Sequence, residues 1–246
     1  MVRGEALDQN CPNVRLHDPR CRSHPLHHAD WRLSLRHQLA NSLDDGVVPL
    51  GTQGSRGVAF QVTLLAFGYT FFAKATVSEF VVDLKNETSM YRKLKPLQGL
   101  TIPVHLGAID LGRPYYYDVR VRLVHMVFLS WGGEPIGRES PPPASPVDMQ
   151  QKLVAQTQQL HALGVVHRDI GRQNVLWCSE NDGPMLIDFE RSEVLEPLRY
   201  PRVQALIKQR RSENDPDRRK KRVQHVDSRK FLLREDLFAA KSVFRV

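Results

Sequence analysis

Apolar and polar positions along the chain follow two periods, and the change from one to the other marks the expected elements. Trp31, Leu35, Leu39 and Leu43 recur every four residues, which predicts a helix over Trp31–Leu43 ended by Asp44-Asp45-Gly46. Val58–Leu65 and Tyr69–Thr76 read as two β-strands around the turn Ala66-Phe67-Gly68. Ser78 is placed to cap a helix running to about Leu94, where Pro96 stops it. Ile102–Leu106, Tyr115–Val119 and Arg122–Ser130 read as further strands, and Trp131-Gly132-Gly133 breaks the last. Residues 134–146 hold five prolines and form a connector. Ser145-Pro146-Val147-Asp148 combines a hydroxyl cap, a proline at the first helical position and an early acid, so a helix follows to about Leu163. Val175–Trp177 and Met185–Ile187 fit a β-hairpin. Val203–Arg211 and Phe231–Phe244 read as late helical stretches flanking a charged segment. Strands with one helix, then a connector, then a helix-rich part imply an α+β chain in two lobes, residues 30–133 and 134–246, behind a flexible leader, residues 1–29.

Composition adds little to the fold but narrows the function. Hydrophobic residues make up 41% of the chain, enough for a substantial core. Of the net charge of +8, a net of +5 lies between Lys208 and Arg222, so the basic balance belongs to one segment. Arg218–Arg222 would suit a nuclear-import signal, a phosphate-binding patch or contact with nucleic acid, and equally a solvated loop. Neither a signal peptide nor an apolar run long enough for a membrane span is evident. Three cysteines, Cys11, Cys21 and Cys178, are too few for a disulfide framework and point to a reducing compartment, cytoplasmic or nuclear. Cys11, Cys21 and the histidines near them have zinc-ligand chemistry, but their spacing fits no common zinc motif.

The chemistry is concentrated in His167-Arg168-Asp169-Ile170-Gly171-Arg172-Gln173-Asn174. His-Arg-Asp, four residues and Asn is the catalytic-loop pattern of protein kinases. Phosphoryl transfer to a hydroxyl needs an acid that orients it and accepts its proton, and a neutral oxygen ligand for magnesium a few residues on. Asp169 and Asn174 are of the right types. Fourteen residues after Asn174, Met185-Leu186-Ile187-Asp188-Phe189 ends an apolar strand in an acid followed by Phe, resembling the kinase element whose Asp holds magnesium.

Upstream, Phe71-Phe72-Ala73-Lys74 ends an apolar strand in a lysine. Gly51, Gly54 and Gly57 form a Gly-rich turn before the first strand, where bare backbone amides can approach phosphates. The match is imperfect, since Thr52 stands at the first glycine of the kinase pattern and Ala59 at its valine. On the following helix, Phe80, Leu84, Glu87, Tyr91 and Leu94 share one face. A carboxylate in an apolar stripe needs a partner, and Lys74 is the obvious one.

These motifs make the chain similar to the protein-kinase-like superfamily. Val48-Pro49-Leu50-Gly51, Pro96-Leu97-Gln98-Gly99, Phe128–Gly133 and Leu186–Arg191 resemble short fungal protein-kinase-like proteins. The resemblance implies a two-lobed fold with a mainly antiparallel β N-lobe carrying one helix and a shortened helical C-lobe. It implies ATP bound by Gly54, Gly57, Lys74 and Glu87, a hinge at Leu129 and Trp131, magnesium on Asn174 and Asp188, and Asp169 as base. Three departures stand out. Glu190 replaces the glycine after Asp-Phe. Gly171 stands where Ser/Thr kinases carry a phosphate-steadying lysine, a role Arg172 is placed to take. No Ala-Pro-Glu element follows Asp188. The expectation is therefore an ATP- and Mg-dependent phosphotransferase of protein-kinase type acting on Ser/Thr hydroxyls of a protein substrate. A pseudokinase binding module is the alternative, with a small-molecule kinase or a nucleic-acid binder behind it.

Overall fold

The computed structural model describes residues 28–53, 56–118, 121–136, 144–195 and 216–244. The chain divides into two compact units: the first runs to Arg92 and resumes over Gln98–Gly132, and the second comprises Lys93–Leu97 and the chain from Gly133 onward.

The first unit is built on a five-stranded antiparallel sheet. Its strands are β1 (Val47–Gln53), β2 (Val58–Leu64), β3 (Tyr69–Thr76), β4 (His105–Asp118) and β5 (Val121–Leu129), in the order β1-β2-β3-β5-β4. Alternation along β3 decides which side chains meet the core. Tyr69, Phe71, Ala73 and Ala75 are buried on one face, and Lys74 points to the other. Helix α1 (His28–Asn41) covers the Phe71 face with Trp31, Leu35 and Leu39, as their spacing predicts. The Trp31 ring packs edge-on against Phe71 and Phe128, with centroids 5.2 and 6.0 Å away. After one 3-10 turn, helix α2 (Val81–Lys93) buries Leu84, Glu87 and Tyr91.

Three expectations need correction here. The Gly-rich segment does not precede the first strand. Val47–Gln53 is itself a strand, at the sheet edge, where Pro49 is tolerated because its missing amide faces no partner. Ile102–Leu106 and Tyr115–Val119 are not separate strands. One strand, His105–Asp118, runs through with three register shifts, of which the first ends at Gly107 and the second spans Pro114, residues that had broken the period in sequence. Ser78 does not cap α2. Val77 precedes the 3-10 turn without a side-chain cap, and the Ser78 hydroxyl donates to Glu79 instead.

In the second unit, helix α3 (Pro146–Ala162) starts as expected. Ser145 Oγ accepts from the Asp148 amide at 3.1 Å, with proline in the first turn. Met149, Leu153, Thr157 and Leu160 form its buried stripe. Short strands follow: β6 (Glu134–Pro135) pairs with β8 (Val175–Cys178), β8 pairs with β9 (Gly183–Leu186), and β7 (Val165–Val166) pairs with β10 (Glu193–Val194). The β6–β8 approach requires Gly133, because a Cβ there would sit 2.0 Å from the Trp177 carbonyl oxygen. Helix α4 (Pro216–Ser242) packs against α3 and takes in both the end of the expected charged segment, to Arg222, and most of Phe231–Phe244. The expected leader before His28, Gly54, most of the proline-rich connector and the Val203–Arg211 helix lie outside the described residues.

Candidate phosphotransfer site

Lys74 and Glu87 belong to the first unit. Strand β3 turns Lys74 toward α2, and Glu87 Oε2 lies 3.2 Å from Lys74 Nζ. The Glu87 side chain is almost fully buried, whereas that of Lys74 is 15% exposed. The carboxylate, on the helix face shared by Leu84 and Tyr91, is thus the more deeply buried of the two partners. Gly57 immediately precedes β2, the strand opposite. A Cβ at this position would come within 2.9 Å of the Ala75 carbonyl oxygen and 3.3 Å of Lys74 Cγ, so the backbone reaches Lys74 only because the residue is glycine. Arg56 beside it pairs with Asp83 of α2 at 3.3 Å, which ties the hairpin to the helix. Leu129 is buried at the end of β5, and Trp131 is 44% exposed beyond it.

The catalytic-loop residues lie in the second unit, and their order comes from buried hydrogen bonds. His167 is fully buried. Its Nε2 donates to the Ile187 carbonyl at 3.0 Å, which leaves Nδ1 to accept the Asp169 amide at 3.3 Å. Burial is the largest influence on this imidazole and pushes its pKa below the ordinary histidine value, against the opposing pull of Asp236, Asp188 and Asp169. The neutral tautomer therefore links the loop to the residue before Asp188. Asn174 makes the second link. Its carbonyl accepts the Ile187 amide at 3.1 Å, and its Nδ2 donates to the Asp169 carbonyl at 2.8 Å. Ile187 is held at both its N–H and its C=O, which fixes where Asp188 begins. Arg168 and Asp188 both take positive φ, 65° and 67°, conformations a non-glycine residue keeps only when its surroundings impose them.

Those surroundings include a residue the sequence reading missed. Asp236 of α4 is buried, and its carboxylate accepts the amides of His167 at 2.6 Å and Arg168 at 2.8 Å. His161 Nε2 of α3 lies 3.1 Å from the same carboxylate and donates to it. Burial alone would raise the Asp236 pKa; the bonds from His161 and the two amides together outweigh it and hold the carboxyl below its ordinary value. A signal for Asp236 exists. Leu233, Asp236, Ala240 and Phe244 fall on one helical face, the same pattern of an acid in an apolar stripe that singled out Glu87.

The remaining loop side chains go elsewhere. Arg168 pairs with Glu193. Arg172 directs Nη2 to the Val243 carbonyl at 3.4 Å and makes no ion pair with Asp169. The cation within ion-pair reach of Asp169, among the described residues, is Arg191, with Nη1 3.9 Å from Oδ1.

Magnesium would suit the donor set. Asp188 offers a carboxylate, and Asn174 has committed its amide nitrogen to the Asp169 carbonyl, which turns the side-chain oxygen to other use.

Residues 138–231 match the lipopolysaccharide kinase (Kdo/WaaP) family, a stretch that contains Asp169, Asn174 and Asp188. The chain is also 34% identical over 225 residues to the meiotic driver SPOK2 of Podospora anserina. That match takes in 88% of this chain and 28% of SPOK2, so the chain spans little more than a quarter of that relative's length. No helix among the described residues is long and apolar enough to cross a membrane.

Proposed function

Because the chain belongs to the protein-kinase-like superfamily and has its α+β fold, we propose that it is an ATP- and Mg-dependent phosphotransferase acting on hydroxyl groups, with Ser/Thr side chains of a protein as acceptors. One observation carries the reading: His167 and Asn174 clamp Ile187, so Asp169 and Asp188 are held by the same buried network. Asp169 orients the acceptor hydroxyl and takes its proton. Lys74, fixed by Glu87, binds the α- and β-phosphates, with Gly54 and Gly57 giving backbone access and Leu129 and Trp131 flanking the adenine. Asn174 and Asp188 hold magnesium, which when bound offsets the charge of the phosphates.

The test is transfer of radiolabelled phosphate from Mg-ATP to Ser/Thr peptides, and in parallel to sugar hydroxyls, because residues 138–231 match a lipopolysaccharide kinase family. Asp169→Asn and Asp188→Ala should each abolish incorporation; equal labelling by wild type and both variants would refute the mechanism. A second reading, a nucleotide-binding module without turnover, is favoured by Glu190 in place of the glycine after Asp188-Phe189. It predicts that Mg-ATP raises the unfolding temperature of a wild type that labels nothing.

A further inference from the structure

The phosphoryl group in transit carries charge on three equatorial oxygens, and electrostatic stabilisation of that charge is most of what a phosphotransferase contributes. Gly171 has no side chain to offer. Arg168 is engaged by Glu193, and Arg172 is turned to the Val243 carbonyl. Arg191 is differently placed. Its guanidinium lies 3.9 Å from the Asp169 carboxylate, with the two side chains 54% and 33% exposed. That separation is well beyond the roughly 2.7–2.9 Å of a closed charge-assisted hydrogen bond. The guanidinium therefore stands beside the proposed base without being locked to it.

The backbone that carries Arg191 is fixed on both sides. Phe189 is fully buried, with its ring 4.8 Å from that of His167. Ser192 is also buried; its amide donates to the Phe189 carbonyl and its hydroxyl to the His167 carbonyl, both at 3.1 Å. Glu193 and Val194 then pair with β7. Arg191 thus sits at the tip of a tight turn anchored to the catalytic loop, with only its side chain free to reorient.

We propose that Arg191 is a catalytic residue whose guanidinium binds the phosphoryl group during transfer, a role for which Gly171 has no side chain. This rests on the phosphotransferase reading above. In the step, the acceptor hydroxyl gives its proton to Asp169, and its oxygen forms the new bond to the γ-phosphorus. The bond from that phosphorus to the bridging oxygen breaks, and its electron pair leaves with ADP. Arg191 donates hydrogen bonds to the equatorial oxygens and exchanges no proton. A planar fork suits two such oxygens at once, which a lysine does not.

The experiment compares wild type, Arg191→Ala and Arg191→Lys of the full chain in two assays. The first is steady-state hydrolysis of Mg-ATP, with water as acceptor. Arg191→Ala should lower kcat roughly 100-fold, as loss of one transition-state donor does, while KM for ATP changes less than about threefold. Arg191→Lys should recover only part of kcat. The second assay is binding of ADP with and without aluminium fluoride, which mimics the phosphoryl group in transit. Wild type should bind the ADP–fluoroaluminate complex more tightly than ADP, and Arg191→Ala should lose that preference while binding ADP unchanged. Unchanged or raised kcat in Arg191→Ala, or a preference for the fluoroaluminate complex that survives the substitution, would overturn the role of Arg191 alone. A wild type that neither hydrolyses Mg-ATP nor prefers the fluoroaluminate complex would overturn the phosphotransferase reading and this proposal with it.

Discussion

Glu87 and Asp236 are both buried carboxylates on helices, but they do different work in their own units. Glu87 holds a side chain, the Lys74 ammonium, at 3.2 Å. Asp236 holds backbone, accepting two amides of the catalytic loop and a histidine from α3. A side-chain pair orients one cation and leaves the chain path to the sheet and helix. A carboxylate bonded to consecutive amides constrains the chain path, here where Arg168 takes positive φ. The first arrangement positions a charge on a frame that exists without it, whereas the second helps create the frame.

Substitution should separate the two. Asp236→Ala leaves two buried amides and His161 without their acceptor, and should lower stability by about 4 kcal/mol. Urea titration reads this directly, and a loss under about 1 kcal/mol would mean that the loop keeps its path unaided. Glu87→Ala removes a buried carboxylate beside a lysine whose side chain is 15% exposed, so about 2 kcal/mol is expected, less than for a fully enclosed pair. Its larger consequence should be weaker Mg-ATP binding, seen as a smaller rise in unfolding temperature with nucleotide.

Acid should act on the loop network before it reaches ordinary carboxylates. His167 has a lowered pKa in the folded chain, so the unfolded chain takes up the proton first, and stability falls as pH drops below about 6.5. The Asp236 contribution is fully present above its unfolded value of about 3.8 and is lost as pH falls further, through the lower folded value. His167→Asn should flatten the first part of that profile, and an unaltered slope would show that the buried imidazole is not its source. The smallest effect belongs to Arg172→Ala. Its bond to the Val243 carbonyl is exposed, and stability should shift by less than about 0.5 kcal/mol. A larger loss would mean that side chains of the loop, and not Asp236 alone, hold it to α4.

Where one element carries its own signal, the sequence was sufficient. The period of four in Trp31–Leu39, the alternation in β2 and β3 and the Ser145-Pro146 helix start are local patterns, and the elements follow them. Glu87 was legible because its stripe and Lys74 lie only 13 residues apart. β1 and the middle of β4 were not legible, since proline and glycine interrupt their periods and only pairing with β2 and β5 keeps them extended.

By itself, the sequence determined the chemical inventory of this protein: which residues can carry charge, accept a proton or hold a metal, and which stripes must be buried. Those properties belong to residue types and short spacings. Only the tertiary structure decided which groups share a place. Asp236 meets the loop from 69 residues away in the chain, and Arg191 stands near Asp169 while Arg172, much closer to it in sequence, turns away. Such pairings depend on how elements pack, and a local pattern cannot encode a direction that a distant helix imposes.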